Sequence, residues 1–208
     1  MKKILIATTN KNKVERIKKL FTKEIENKEI EFLSMNDIDY KIVEPEESGL
    51  DGLDNAKIKA KYYYDNLTEK MAVLSQDDTI FLEGVPVEEN PGKDIKAPVI
   101  KKYQIFNDEN AYKYYQELFN KYGGILNIEF RYGFALATAK GLFAERAILP
   151  GRVLSEISDK RTPGYFLADM MQVLEENKWE YYNSLTTEQL IRQDHSIHEA
   201  IHILIKKM

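Results

Sequence analysis

Residues 4–7, Ile-Leu-Ile-Ala, carry no charge and end in the polar turn Thr8-Thr9-Asn10-Lys11-Asn12-Lys13. Such a run suits a strand buried on both faces, inside a sheet that helices cover. Behind it Val14, Ile17, Leu20 and Phe21 recur at helical spacing, so residues 8–12 read as a strand-to-helix turn containing an N-cap. Buried strand, polar turn and amphipathic helix in that order predict an α/β fold. The turn offers free backbone N–H groups at the positive end of a helix, and Lys13 adds a full charge. That is anion-binding geometry, although an ordinary βα loop on a lysine-rich surface has the same look.

The 208 residues suffice for one domain of ordinary to large size, or a core domain with a small lobe. A formal net charge of -4 and a pI near 5.6 weigh against duplex nucleic acid as the main partner. With no cysteine there is no disulfide framework, no cysteine metal site and no thiol nucleophile. No apolar run approaches the roughly eighteen residues of a membrane span, and the first apolar segment is too short for a signal peptide. A cytoplasmic protein is expected.

Along the chain the first helix is expected to end near Glu26, followed by a short strand over residues 30–33. Residues 36–50 form an acidic extended connection with Asp37, Asp39, Glu44, Glu46 and Glu47 around Pro45. A second helix is predicted from Asp51 to about Leu67, with Ala56, Ala60 and Tyr63 on its apolar stripe and Lys57, Lys59 and Lys61 off it. Residues 71–75 read as a buried strand that delivers Gln76-Asp77-Asp78-Thr79 at its carboxyl end, where open α/β sheets meet ligands. Residues 84–107 read as loop and residues 108–122 as a third helix. Long strands over 125–137 and 142–149 flank a tight turn at 138–141. Pro150-Gly151 reads as a bend, residues 153–157 continue the sheet, a loop spans 159–164, and a last helix covers about 194–206. No internal repeat or low-complexity linker divides the chain into independent domains.

Three clusters carry chemistry: the turn at 8–13, the carboxylates Glu46 and Glu47, and the carboxylates Asp77 and Asp78. Carboxylates that hold Mg²⁺ beside lysines that hold phosphate oxygens are what attack on a nucleotide phosphate requires. Glu46 and Glu47 also fit a solvated acidic loop, and Asp77-Asp78 a turn or cap. The second alternative is the less comfortable, because adjacent carboxylates after a buried strand repel unless a cation or donors satisfy them.

Taken together, Thr8-x-Asn10-x-x-Lys13, Glu46-Glu47-Ser48-Gly49, Asn55-Ala56-x-x-Lys59-Ala60 and Asp77-Asp78-Thr79 resemble, in colinear order, the inosine triphosphate pyrophosphatase family. Pro91-Gly92 and Pro150-Gly151-Arg152-Val153 extend the likeness more weakly. The resemblance implies an elongated α/β fold, a mixed β-sheet flanked by helices with a central cleft, residues 1–208 forming a single domain with two lobes around it. It implies a homodimer that hydrolyses nucleoside triphosphates to monophosphate and pyrophosphate with Mg²⁺, usually on inosine- or xanthosine-type bases. By that likeness Thr8, Asn10 and Lys13 hold the triphosphate, with Lys13 also serving catalysis, and Lys59 reaches it from the second helix. Glu47 binds the metal; Asp78 binds metal or orients the attacking water, supported by Asp77.

The departures fall where the base should be read. The family's aromatic-glycine-aromatic-aspartate-proline run is here Phe166-Leu167-Ala168-Asp169-Met170, leaving Phe166 to stack on a base and Asp169 to accept hydrogen bonds from it, or else core and surface residues. The family's serine-histidine-arginine run has no unique register in residues 192–198; His195 and Ser196 are candidates, and the arginine is absent or displaced to Arg192. His195, His198 and His202, spaced i, i+3 and i+7, resemble a metal site as well as a helix shoulder. The clusters Tyr62-Tyr63-Tyr64 and Tyr112-Tyr114-Tyr115 suit packing better than stacking on nucleic acid. Two other functions stay open: a pyrophosphatase for another modified nucleotide, and a catalytically silent relative that binds nucleotide or protein.

Overall fold

The computed structural model describes residues 1–208. Its seven strands form one sheet in the order β2-β1-β3-β4-β5-β6-β7, built from β1 (Lys2–Ile6), β2 (Ile30–Ser34), β3 (Ala72–Leu82), β4 (Ile125–Thr138), β5 (Gly141–Leu154), β6 (Met171–Glu175) and β7 (Lys178–Tyr181). The helices are α1 (Lys11–Leu20), α2 (Thr22–Glu26), α3 (Gly52–Asn66), α4 (Ala97–Tyr103), α5 (Asp108–Lys121), α6 (Thr187–Gln193) and α7 (His195–Lys206). The α/β class and mixed sheet are as the sequence predicts. No helix is long and apolar enough to cross a membrane. The chain clusters into two compact units: Met1–Asp78 with Arg131–Ile148 and Asp194–Met208, and Thr79–Phe130 with Leu149–Gln193.

In the first unit β1 pairs in parallel with β2 on one side and with β3 on the other. Parallel neighbours need crossovers, and crossovers are right-handed. Because the chain steps from β1 outward to β2 and then back across β1 to β3, that rule sends α1 and α3 to opposite faces of the sheet. Leu5, Ala7 and Val73 share a core cluster with Tyr63 and Leu67 at the end of α3, so the odd-numbered positions of β1 and β3 face α3.

Small residues bring α3 unusually close. Ala56 and Ala60 pack on Ala135 and Ala137 of β4, and Ser75 of β3 donates its hydroxyl to the Ala56 carbonyl. A Cβ on Gly133 would lie 2.3 Å from the Leu53 Cα and 2.4 Å from its nitrogen. Gly52 leaves room in the same way for the backbone of Asp77 and Asp78, 3.0 Å from where its Cβ would stand.

The second unit holds α4, α5, β6, β7 and α6 together with the distal segments of β3, β4 and β5. Tyr115 and Phe119 of α5 are fully buried there, and Phe166 stacks at a tilt on Tyr115 with centroids 5.2 Å apart.

Several predicted boundaries move. The helix expected to run to Glu26 breaks at Phe21, whose ψ of 27° leaves the helical region while its ring packs on Phe32. The strand expected over 71–75 continues to Leu82, so the Asp77-Asp78 pair lies inside a strand rather than beyond its end. Pro150 and Gly151 are part of β5 and not a bend between strands. β5 meets β6 at Arg152 and Val153, so Pro150 precedes that ladder, and Gly151 is needed because a Cβ would approach the Gln172 carbonyl to 2.6 Å. Helix α4 occupies part of the expected 84–107 loop, and β6, β7 and α6 are additional elements.

Gly133→Ala should lower stability by about 3 kcal/mol, the upper part of the usual range for overpacking, because backbone rather than a flexible side chain must move. The urea unfolding midpoint measures it; a midpoint equal to wild type would show that α3 is not held this close to β4.

Candidate active site

The site grows from the place where β1 stops and β3 goes on. The pairing of β1 with β3 ends at Ile6 and Leu74, and the Ala7 amide still donates to the Leu74 carbonyl at 2.8 Å. From there β1 turns into α1 while β3 runs past it, the point in a 2-1-3 sheet where the two crossovers diverge and ligands are met. Asn10 is the N-cap of α1, its side chain accepting from the Asn12 amide at 2.9 Å, and the Thr8 hydroxyl accepts from the Asn10 amide at 3.2 Å. Those two side chains fix the turn and present Lys13 in the first helical turn.

Alternation along β3 sends Asp77 and Asp78 to opposite faces. Asp77 shares the parity of Val73 and Ser75 and meets α3: Lys59 Nζ lies 3.3 Å from Asp77 Oδ1. Asp78 faces α1, with Lys13 Nζ 2.9 Å from its Oδ2 and the Gln76 amide donating to its Oδ1 at 2.8 Å. Lys59 also reaches Glu47 Oε1 at 3.0 Å, and the Glu47 side chain is about half exposed in its loop. That loop is tied to α3 through the buried Asn55, whose Oδ1 accepts from the Gly49 amide at 2.8 Å. Gly49 is required there, since a Cβ would stand 2.6 Å from the same oxygen.

Thus the first unit brings together the predicted residues Thr8, Asn10, Lys13, Glu47, Lys59, Asp77 and Asp78. Asn55 and Gln76 orient two of the carboxylates, roles that the motif positions alone did not reveal. Arg16 is a further one: its guanidinium forms two 2.6 Å bonds to Asp194 and one of 2.9 Å to the Tyr132 hydroxyl. One helical turn past Lys13, it ties α1 to the start of α7.

The adjacent carboxylates titrate in opposite directions. Burial pushes the Asp77 carboxyl up, with Lys59, Lys13 and Asn55 offsetting only part of that cost. Burial also disfavours the Asp78 anion, but Lys13, the Gln76 hydrogen bond and Arg16 outweigh it and hold the carboxyl below its ordinary value.

Oδ2 of Asp77 and Oε1 of Gln76 are buried without a hydrogen-bond partner. Unsatisfied hard oxygens beside a carboxylate set are the donors that Mg²⁺ takes, so the residues fit such a cation. Glu47 and Asp77, joined through Lys59 on the α3 side of β3, would hold it, whereas Asp78, also expected as a ligand, faces α1.

The base-reading candidates are placed differently. Asp169 is 0% exposed, and its oxygens accept from the Thr162 amide at 3.0 and 3.1 Å, from the Asn183 amide at 2.7 Å and from the Tyr112 hydroxyl. Its carboxylate holds the loop before it, and the Tyr112 hydroxyl is pushed up to about 12 by burial and by that carboxylate. Phe166 is 3% exposed within an aromatic cluster of Phe106, Tyr112 and Tyr115. Neither side chain therefore stands open to a base as expected, because protein partners already surround both. His195 is exposed at the start of α7, and the Ser196 hydroxyl donates to the Ile148 carbonyl at 2.9 Å. Arg192, the displaced-arginine candidate, instead binds the Glu175 carboxylate together with Gln193.

Replacing each aspartate by asparagine should change stability with opposite sign at pH 7. Asp78→Asn removes a charged hydrogen-bonded pair and should cost about 1.5–3 kcal/mol. The lowered pKa means this contribution is complete above the ordinary carboxylate range and is lost as pH falls through the native value. Asp77→Asn should stabilise, since a raised pKa makes the native state lose stability as pH rises through the ordinary range, and the amide removes that loss. Thermal unfolding at pH 7 and pH 3 checks both; equal signs at pH 7 would contradict this electrostatic assignment.

A sequence model of the Ham1 family matches residues 4–201. The chain is 32% identical over 174 residues to a dITP/XTP pyrophosphatase of Nautilia profundicola, an alignment that covers 78% of this chain and 77% of that relative. Among solved structures it superposes on a HAM1 protein from Coxiella burnetii with a TM-score of 0.73 at 15% identity, covering 100% of both chains. With a nucleoside-triphosphatase / dITP/XTP pyrophosphatase from Mycobacterium abscessus the TM-score is 0.62 at 18% identity, over 97% of this chain and 96% of that one. The two structural likenesses establish the fold.

Proposed function

This chain belongs to the Ham1 family, and from that premise we propose that it is a Mg²⁺-dependent pyrophosphohydrolase that converts inosine- or xanthosine-type nucleoside triphosphates to monophosphate and pyrophosphate. The observation that carries the reading is the pairing of two lysines, from opposite faces of the sheet, with adjacent carboxylates beside an N-capped anion-binding turn. A homodimer and a cytoplasmic setting belong to the same reading.

Without substrate the site neutralises itself: Lys13 covers Asp78, and Lys59 covers Asp77 and Glu47. An entering triphosphate competes for both ammonium groups, because phosphate oxygens accept charged hydrogen bonds at least as well as carboxylates. Lys13 then holds phosphate oxygens at the positive end of α1, with Thr8 and Asn10, whose side chains accept from turn amides, keeping that turn in shape. Glu47 and Asp77, once released from Lys59, would hold Mg²⁺, which would supply charge neutralisation on the phosphate oxygens.

Hydrolysis needs a water whose oxygen forms a bond to phosphorus at the α–β anhydride as the bond from phosphorus to the pyrophosphate oxygen breaks. Asp78 accepts a hydrogen bond from that water, and the proton the water loses passes to solvent. The depressed pKa of Asp78 keeps it ionised at neutral pH, so its part is to orient the water rather than to act as a strong base. Asp77, with an unsatisfied oxygen, supports the metal side. No covalent nucleophile is needed, and positioning plus charge neutralisation carries the rate.

Base recognition falls in this proposal to His195 and Ser196 at the start of α7, because Phe166 and Asp169 are buried among protein partners. Pyrophosphate release with Mg²⁺ across inosine, xanthosine and the four common triphosphates tests the function. The expected kcat/KM for the first two exceeds the others by about a hundredfold or more, a ratio that hydrogen bonding to a base oxygen supplies and methylene-scale fit does not. Asp78→Asn should cut kcat by about a hundredfold or more, the usual size of a lost positioning group, with an unchanged circular dichroism spectrum. Preference for a modified pyrimidine would shift the assignment to another nucleotide, and wild-type turnover by Asp78→Asn would remove Asp78 from the mechanism.

A further inference from the structure

Away from the triphosphate residues, α2 and α7 bring together three groups that no part of the reaction uses. One ring nitrogen from each of His198 and His202 and a carboxylate oxygen of Glu24 lie within 4.8 Å of one another. The two histidines are spaced i, i+4 on α7, which stacks their rings over one helical turn, 5.8 Å between centroids and 19° between planes. Glu24 comes from α2, with its Oε1 3.9 Å from His198 Nε2. We infer that Glu24, His198 and His202 form a transition-metal site, of the Zn²⁺ class, that clips α2 to α7.

The donor chemistry selects the ion. Two imidazoles and one carboxylate form the ligand set of an open tetrahedral zinc centre, whereas Mg²⁺ prefers oxygen alone. Zinc bonds of roughly 2.0–2.2 Å place tetrahedral donors about 3.4 Å apart, so small side-chain rotations close the triad. All three side chains are partly exposed, which gives an ion a path in and leaves the fourth position to water.

The protein also leaves these groups ready for a cation. Nδ1 of His202 is buried with no hydrogen-bond partner. His198 is held against the buried Phe21 ring, centroids 4.7 Å apart, so its orientation is set before any ion arrives. His195, which the spacing alone would have included, is 72% exposed and lies 3.7 Å from Glu199, so Glu24 takes the third place.

Isothermal titration of tag-free, chelator-treated protein with Zn²⁺ tests the site. The expected result is one ion per chain with a Kd of about 1 μM or tighter. Binding should weaken at least tenfold in each of Glu24→Gln, His198→Ala and His202→Ala and stay unchanged in His195→Ala. A hundredfold excess of Zn²⁺ over Kd should raise Tm by about 5–10 °C in the wild type and not in Glu24→Gln. Glu24→Gln, which removes charge without disturbing the Phe21–His198 contact, serves if an alanine variant loses its fold. No binding tighter than millimolar, or equal binding in wild type and Glu24→Gln, would overturn the site.

Discussion

Two neighbouring carboxylates in the middle of a strand are the constraint on which this active site depends. In solution Asp77 and Asp78 would only repel one another. Inside β3 the pleat separates them, one to each face, and each face must then supply its own cation. The 2-1-3 strand order meets that need through topology, because it places α1 on one side and α3 on the other, with Lys13 and Lys59 as their respective contributions. The outcome is unequal. Asp78 receives Lys13, Gln76 and the field of Arg16 and becomes easier to ionise, while Asp77 keeps an unpaired oxygen and becomes harder.

That arrangement tolerates little slack in α3. Lys59 reaches both Asp77 and Glu47 because the helix lies close to β3 and β4, and it lies close because the interface is built from Gly52, Gly133 and four alanines. Larger side chains would pack as well by area and would lift the helix off the sheet. The two glycines near the helix start and the Ser75 to Ala56 hydrogen bond fix its height, and Asn55 brings the 41–50 loop to the same place by binding the Gly49 amide. The small side chains of this packing thus set the distance that Lys59 must span.

What the sequence made legible follows from how local each signal is. The strand at 4–7, an N-cap within residues 8–12, the lysine in the first turn and the fold class rest on apolar periodicity and capping chemistry, which are written within a dozen residues. The extent of β3 was not legible, because Asp77-Asp78 ends the apolar run and only neighbouring strands show that pairing continues. The β6–β7 hairpin was hidden for another reason. Its turn uses Glu176 and Asn177, both with positive φ, in place of the usual glycine. For α6 a signal did exist: Thr186 and Gln189 form a reciprocal cap, a Ser/Thr-x-x-Glu/Gln pattern present in the chain. Asp169 shows the limit of transferring a motif, since the residue type is retained while three protein donors, from Thr162, Asn183 and Tyr112, surround its carboxylate.

The two ends of the catalytic task therefore differ in what holds them. In the proposed reading the phosphate end is a set of charges that satisfy one another in the free protein and can be redistributed on binding: losing the Asp78 carboxylate breaks its pair with Lys13, whereas Lys59 keeps Glu47 when Asp77 is neutralised. The base end, which the proposal places at the start of α7, has no such internal coupling, since His195 is exposed and Ser196 engages a single backbone carbonyl. Substitution there costs the fold little. On that reading residues 192–198 can depart from the family pattern at little cost to the fold, whereas Phe166 and Asp169, buried and held by protein partners, answer to packing rather than to a base.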